Sequence, residues 1–145
     1  MAFALRTRAA QQQAGCFAVK PKHVLVVDDD PAILEVIERA LAAANFRVSK
    51  ARRVSIARDV LMRQTIDLVI TDARIPGETG LRLAETAREL GIALIVMSGD
   101  PEWAAEHGMD PEQYLAKPFD LRELLQLVHA SLEAGGSLAG IRHDC

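Results

Sequence analysis

The sequence predicts one α/β domain built on a parallel sheet. Short apolar runs rich in β-branched residues alternate five times with amphipathic helical segments between residues 23 and 134, and that alternation is the mark of βα units. The chain has 145 residues, 50% of them hydrophobic and 26% charged, which suffices for one core but not comfortably for two. Polar residues stand directly after four of the five runs, which places them together at one edge of such a sheet.

The first strand is Val24 to Val27, closed by Asp28, Asp29 and Asp30. Asp30 before Pro31 predicts an N-cap with proline at the first helical position, and Ile33, Leu34, Ile37 and Leu41 then fall on one helical face. Phe46 to Ser49 is short and half polar, as an edge strand is, and leads to a helix carrying Ile56, Val60 and Leu61. Leu68 to Ile70 is a buried-type strand ending at Asp72. A loop through Pro76 and Gly77 follows, then a helix with Leu83, Ala84, Ala87 and Leu90 that stops at Gly91. The fourth strand, Ala93 to Met97, ends at Ser98, Gly99 and Asp100, and the segment from Pro101 to His107 holds only a short fourth helix. Tyr114 to Ala116 forms the fifth strand, ending at Lys117 and Pro118. The last helix opens on Asp120, aligns Leu121, Leu124, Leu125, Val128 and Leu132, and is expected to end at Gly135-Gly136-Ser137.

Residues 1–22 contain Arg6, Arg8, Lys20 and Lys22 and no acid, so residues 23–145 carry −7 of the total −3 (−3 minus 4). An acidic body argues against nucleic acid as the main partner. Residues 1–22 read as a disordered extension, 23–134 as the domain and 135–145 as a flexible tail. The Ala14-Gly15-Cys16 step faintly resembles a lipoprotein cleavage site, but Arg6 to Arg8 and Gln11 to Gln13 interrupt the run of about 7–15 apolar residues a signal peptide needs. The acid-free composition also suits an organelle transit peptide less well than a plain extension. Cys16 and Cys145 give neither a disulfide framework nor metal-ligand spacing. With no stretch near the roughly 18 apolar residues of a membrane span, a soluble cytoplasmic protein without membrane contact is expected.

Asp28, Asp29, Asp72, Ser98 and Lys117 stand at the carboxyl ends of four strands. Clustered carboxylates repel one another and resist desolvation, so the site calls for raised pKa values or a cation. Mg²⁺ suits it, because this ion takes a few carboxylates together with waters and phosphate oxygens. Asp72 can then serve as nucleophile toward a phosphoryl group, with Lys117 as a second cation and Ser98 as a hydroxyl donor to its oxygens. Singly, each residue also reads as a turn, a cap or a loop; the joint order is what carries the signal.

These residues resemble the receiver domains of bacterial two-component response regulators, over roughly residues 23–134. The carriers are Val26 to Pro31, Asp67 to Asp72 with Ile75-Pro76-Gly77 and Gly80, Val96 to Gly99, and Tyr114 to Phe119. The resemblance implies a flavodoxin-like sheet of order 2-1-3-4-5 with helices on both faces. It implies Asp72 as phosphoacceptor, with Mg²⁺ held by Asp29 and Asp72 directly, by Asp28 through water and by the backbone carbonyl of Arg74. Ser98 becomes the switch hydroxyl, Tyr114 the aromatic switch, Gly99 the small residue leaving room for phosphate, and Lys117 the family's lysine before a cis proline. Arg74 and Asp100 flank the pocket as residues that tune dephosphorylation.

Ser98 and Lys117 are 19 positions apart, about three fewer than the family pattern and so close to one helical turn. That departure puts the family's usual dimer or target interface in doubt. Nothing after residue 134 reads as a further domain, so the expected function is a stand-alone phosphoacceptor in a two-component phosphorelay. Its implied partners are a sensor histidine kinase or histidine phosphotransfer protein and a downstream protein target, with the chain a monomer or a weak phosphorylation-dependent dimer. On this reading it is no enzyme beyond its own phosphorylation and dephosphorylation.

Two rivals use the same residues. Asp28 to Asp30 also resembles the Asp-x-Asp signature of haloacid-dehalogenase phosphatases, with Asp28 as nucleophile, although Ala32 departs from that pattern and no acidic pair follows Lys117. A non-phosphorylated pseudo-receiver acting as a binding module is the other. A flavin site fits worse, because the first loop is acidic where a flavin phosphate needs hydroxyls and free amides.

Overall fold

The computed structural model describes residues 20–75 and 77–141, with side chains of Glu78, Thr79 and residues 135–141 excepted. Its elements run in the order β1 (His23–Val27), α1 (Pro31–Ala43), β2 (Arg47–Ala51), α2 (Val54–Arg63) and β3 (Leu68–Asp72). A short hairpin of β4 (Arg74–Ile75) and β5 (Glu78–Thr79) follows, then α3 (Gly80–Glu89), β6 (Ala93–Ser98), α4 (Pro101–Glu106), a 3₁₀ turn (Pro111–Gln113), β7 (Tyr114–Ala116) and α5 (Leu121–Ile141). The main sheet is parallel, in the order β2-β1-β3-β6-β7. Counting only those five strands, this is the expected 2-1-3-4-5.

Alternation along the central strands divides the core in two. Leu25, Val27, Val69, Leu94 and Val96 face α2 and α3, which supply Val54, Ala57, Leu61, Leu83 and Ala87. Val24, Val26, Leu68, Ile70, Ile95 and Met97 face α1 and α5, which supply Leu34, Ile37, Leu41, Leu124 and Val128. Burying each large aliphatic chain contributes about 1.5–3 kcal/mol, and because both faces are covered the central strands read as unbroken apolar runs.

Helix starts follow their caps. Asp30 accepts from the Ala32 N–H at 2.9 Å with Pro31 next, and Asp120 accepts from the Glu123 N–H at 2.7 Å. Asp100 accepts from Glu102 and Trp103 to open α4, which at six residues is as short as its sequence requires. Asn45 and Gly91 end α1 and α3 in the left-handed region, at φ 70° in each case.

Three local expectations need correction. The second helix begins at Val54, so Val54, Ala57 and Leu61 form its buried face and Ile56 is 48% exposed. The loop through Gly77 contains the β4–β5 hairpin. Helix α5 continues through Gly135 and Gly136 to Ile141: each glycine weakens a helix by about 1 kcal/mol without forbidding it, and no proline follows. Of the expected extension over 1–22, residues 1–19 lie outside the described residues, as do residues 142–145 of the expected tail over 135–145.

Candidate functional site

Strand ends place the site. The Asp28 N–H donates to the Ala51 carbonyl at 3.1 Å, the Ala73 N–H to Met97 at 2.8 Å, and the Lys117 N–H to Ser98 at 2.9 Å. Asp28, Lys117 and the residue after Asp72 are thereby tied to the neighbouring strands at the carboxyl edge of the sheet, where open α/β sheets bind ligands.

Asp28, Asp29 and Asp72 each bring a carboxylate oxygen within 4.8 Å of the other two. Lys117 Nζ donates to Asp28 Oδ2 at 3.1 Å and to Asp72 Oδ2 at 3.2 Å. Asp28 is buried, with its side chain 1% exposed, whereas the Asp72 side chain is 15% exposed and open to an incoming group. Burial pushes the Asp28 carboxyl above its ordinary value, and the Asp72 charge adds to this; the Asp30 N–H and the Lys117 ammonium oppose the shift without cancelling it. For Lys117, burial acts downward, but the hydrogen bonds and charges of Asp28 and Asp72 together outweigh it and hold the ammonium above its ordinary range. The donor set is all hard oxygen with excess negative charge, so it suits a small divalent cation.

The remaining expected residues surround this centre. Arg74 is the first residue of β4; its N–H donates to Asp72 Oδ1 at 3.2 Å, and its guanidinium pairs with Asp100 Oδ2 at 3.1 Å across the mouth of the site. The Ser98 hydroxyl is engaged with its own loop, accepting from the Asp100 N–H at 3.0 Å. Tyr114 is half-buried, and its hydroxyl donates to the Ser98 carbonyl at 3.0 Å, the same carbonyl that receives the Lys117 N–H. A Cβ on Gly99 meets Lys117 only at 3.9 Å, while one on Gly80 meets the Asp72 carbonyl oxygen at 2.5 Å. The Lys117-Pro118 bond is cis, as the resemblance implied. Arg52, which reaches the Asp29 carbonyl at 3.3–3.4 Å, was not singled out from the sequence, although it follows a strand end as the other site residues do.

The family model described as response regulator receiver domain matches residues 24–129. The chain belongs to that family. This receiver domain is 32% identical over 120 residues to Protein PetR of Rhodobacter capsulatus, an alignment covering 79% of this chain and 50% of PetR. The chain spans about half the length of the first curated relatives it matches. Among solved structures it is similar to the signal receiver domain of an HD domain-containing protein from Pseudomonas fluorescens Pf-5, with TM-score 0.75 and 27% identity over 85% of this chain and 95% of that one. Its fold is also that of the chemotaxis response regulator CheY4 of Vibrio cholerae, with TM-score 0.69 and 24% identity over 77% and 99% of the two chains. The acidic cluster of this receiver domain is one that could bind a metal, and no helix among the described residues is long and apolar enough to cross a membrane.

Proposed function

We propose that Asp72 is the phosphoacceptor of this receiver domain, taking its phosphoryl group from a sensor histidine kinase or a histidine phosphotransfer protein in the cytoplasm. The observation that carries this reading is the position of Lys117 Nζ, shared between the buried Asp28 and the accessible Asp72. One cation thus faces both a fixed counter-charge and the group that changes charge in the reaction.

An Asp72 carboxylate oxygen attacks phosphorus as the phosphorus–nitrogen bond of the donor phosphohistidine breaks, and the leaving imidazole carries away the electron pair. Lys117 stays protonated and holds a phosphoryl oxygen beside Asp72. Asp28, Asp29, Asp72 and the Arg74 carbonyl are the groups that would hold Mg²⁺, which when bound supplies positive charge to offset that of the phosphoryl oxygens. Ser98 leaves Asp100 to donate to the phosphate, and Tyr114 follows through the Ser98 carbonyl. The signal passes to a protein target; the added charge of about −2 drives the change.

Asp28 is a poor nucleophile by the same geometry, since it is buried and spends both oxygens on Asp30 and Lys117. The test is labelling from an acyl phosphate donor with Mg²⁺: wild type and Ser98→Ala take up one phosphoryl group, and Asp72→Asn takes up none. Labelling of Asp72→Asn equal to wild type rules the assignment out.

A further inference from the structure

The second strand and second helix carry a basic surface that meets the candidate phosphorylation site only at Asp29. Residues 47–63 contain six basic residues and one acid, Asp59 (+6 − 1 = +5), in a chain of net charge −3. Lys50 pairs with Glu38 and Arg63 with Asp59, and Arg52 reaches the Asp29 carbonyl. The side chains of Arg53 and Arg58 form no ion pair or hydrogen bond among the described residues. Beside these unpaired charges stand two exposed apolar side chains, Ile56 at 48% and Met62 at 76%.

Two open clefts run along this helix. One, of about 550 Å³, includes Arg52, Arg53 and Ile56 in its lining and reaches Asp29; the other, of about 360 Å³, is lined by Ser55, Arg58, Asp59, Met62 and Thr86, with the Asp59 charge offset by its pairing to Arg63. Each therefore pairs at least one arginine with one exposed aliphatic side chain. That combination matches a helical segment with acidic residues beside its apolar anchors, laid along α2.

We infer that the α2 face is a docking surface for an acidic amphipathic helix of a partner protein. Nucleic acid fits less well, because its phosphates need arginines but give Ile56 and Met62 nothing to bury against. An anionic membrane fits less well, because it would lie across the two clefts rather than enter them.

A display library of random helical peptides of about 20 residues, selected against the intact protein, tests this directly. The expected winners carry Asp or Glu next to Leu, Ile or Phe at helical spacing. Their affinity should fall about tenfold or more in Arg53→Glu/Arg58→Glu and in Ile56→Ser/Met62→Ser. It should hold in Arg122→Glu on α5, with circular dichroism checking that every variant is folded. Winners that are basic, or that bind these variants as well as wild type, overturn the proposal. So does a stronger dependence on Arg53 and Arg58 for single-stranded DNA or for anionic phosphatidylserine vesicles than for the peptides.

Discussion

Lys117 Nζ lies 3.1 Å from Oδ2 of Asp28, a carboxylate whose side chain is 1% exposed. The pair closes a contact between the loop after β1 and the loop after β7. Even so, Asp28 is held above its ordinary pKa by burial, with Asp72 adding repulsion. Between the unfolded value of 3.8 and the raised folded value, the folded chain keeps a proton that the unfolded chain has lost. Ionising Asp28 therefore costs stability, and the cost grows as pH rises from the unfolded value through the raised folded one.

Asp28→Asn is accordingly expected to raise the urea midpoint near neutral pH when divalent ions are chelated. The gain should shrink as pH falls toward the unfolded carboxylate value. A midpoint below wild type at neutral pH contradicts the sign.

Adding Mg²⁺ should stabilise the wild type by relieving the same repulsion, with about 2.7 kcal/mol expected at a hundred times Kd. Thermal melts over a Mg²⁺ series measure this without any phosphorylation. Asp29→Asn should lose most of the shift, and an unchanged shift would remove Asp29 from the ligand set.

Gly80 opens α3 against the backbone of the acceptor strand. An alanine there places its Cβ 2.5 Å from the Asp72 carbonyl oxygen, so Gly80→Ala should destabilise by about 1–3 kcal/mol and slow labelling of Asp72. Gly99→Ala meets only a contact at 3.9 Å and should fold like wild type. Equal urea midpoints for the two variants would show that α3 yields freely.

At the opposite end of β1, buried His23 places Nε2 2.7 Å from Ser49 Oγ, and the His23 backbone N–H donates to Asp67 Oδ2 at 2.8 Å. Burial lowers its pKa below 6.5, with Arg47 adding to the effect against the opposing pull of Asp67 and the Thr65 carbonyl. The unfolded chain takes the proton first, so stability should fall as pH drops through about 6.5 and level off below the folded value. Urea midpoints at about pH 7.5 and 5.5 should differ less in His23→Gln than in wild type.

The legible parts of this molecule were those fixed by short-range chemistry. Val24 to Val27 and Leu94 to Met97 are buried on both faces and so announce themselves as apolar runs, and the residues that follow them mark the site. Where several faces compete, local pattern does not decide between them. Ile56 is as apolar as the true core residues of α2, and only the observed start at Val54 turns it outward. The β4–β5 hairpin has two residues a side, too few for a period to show. Arg52 and the Arg74–Asp100 pair depend on loops meeting across the sheet edge, which no local pattern encodes.

The central claim is that Asp72 takes the phosphoryl group. Reductive trapping tests it most directly: after incubation with acetyl phosphate and Mg²⁺, borohydride converts an aspartyl phosphate to homoserine, which peptide mass spectrometry then locates. Homoserine at position 72, absent when donor is omitted, is the predicted result. Homoserine at position 28, or at neither position while the protein still takes up phosphate, contradicts it.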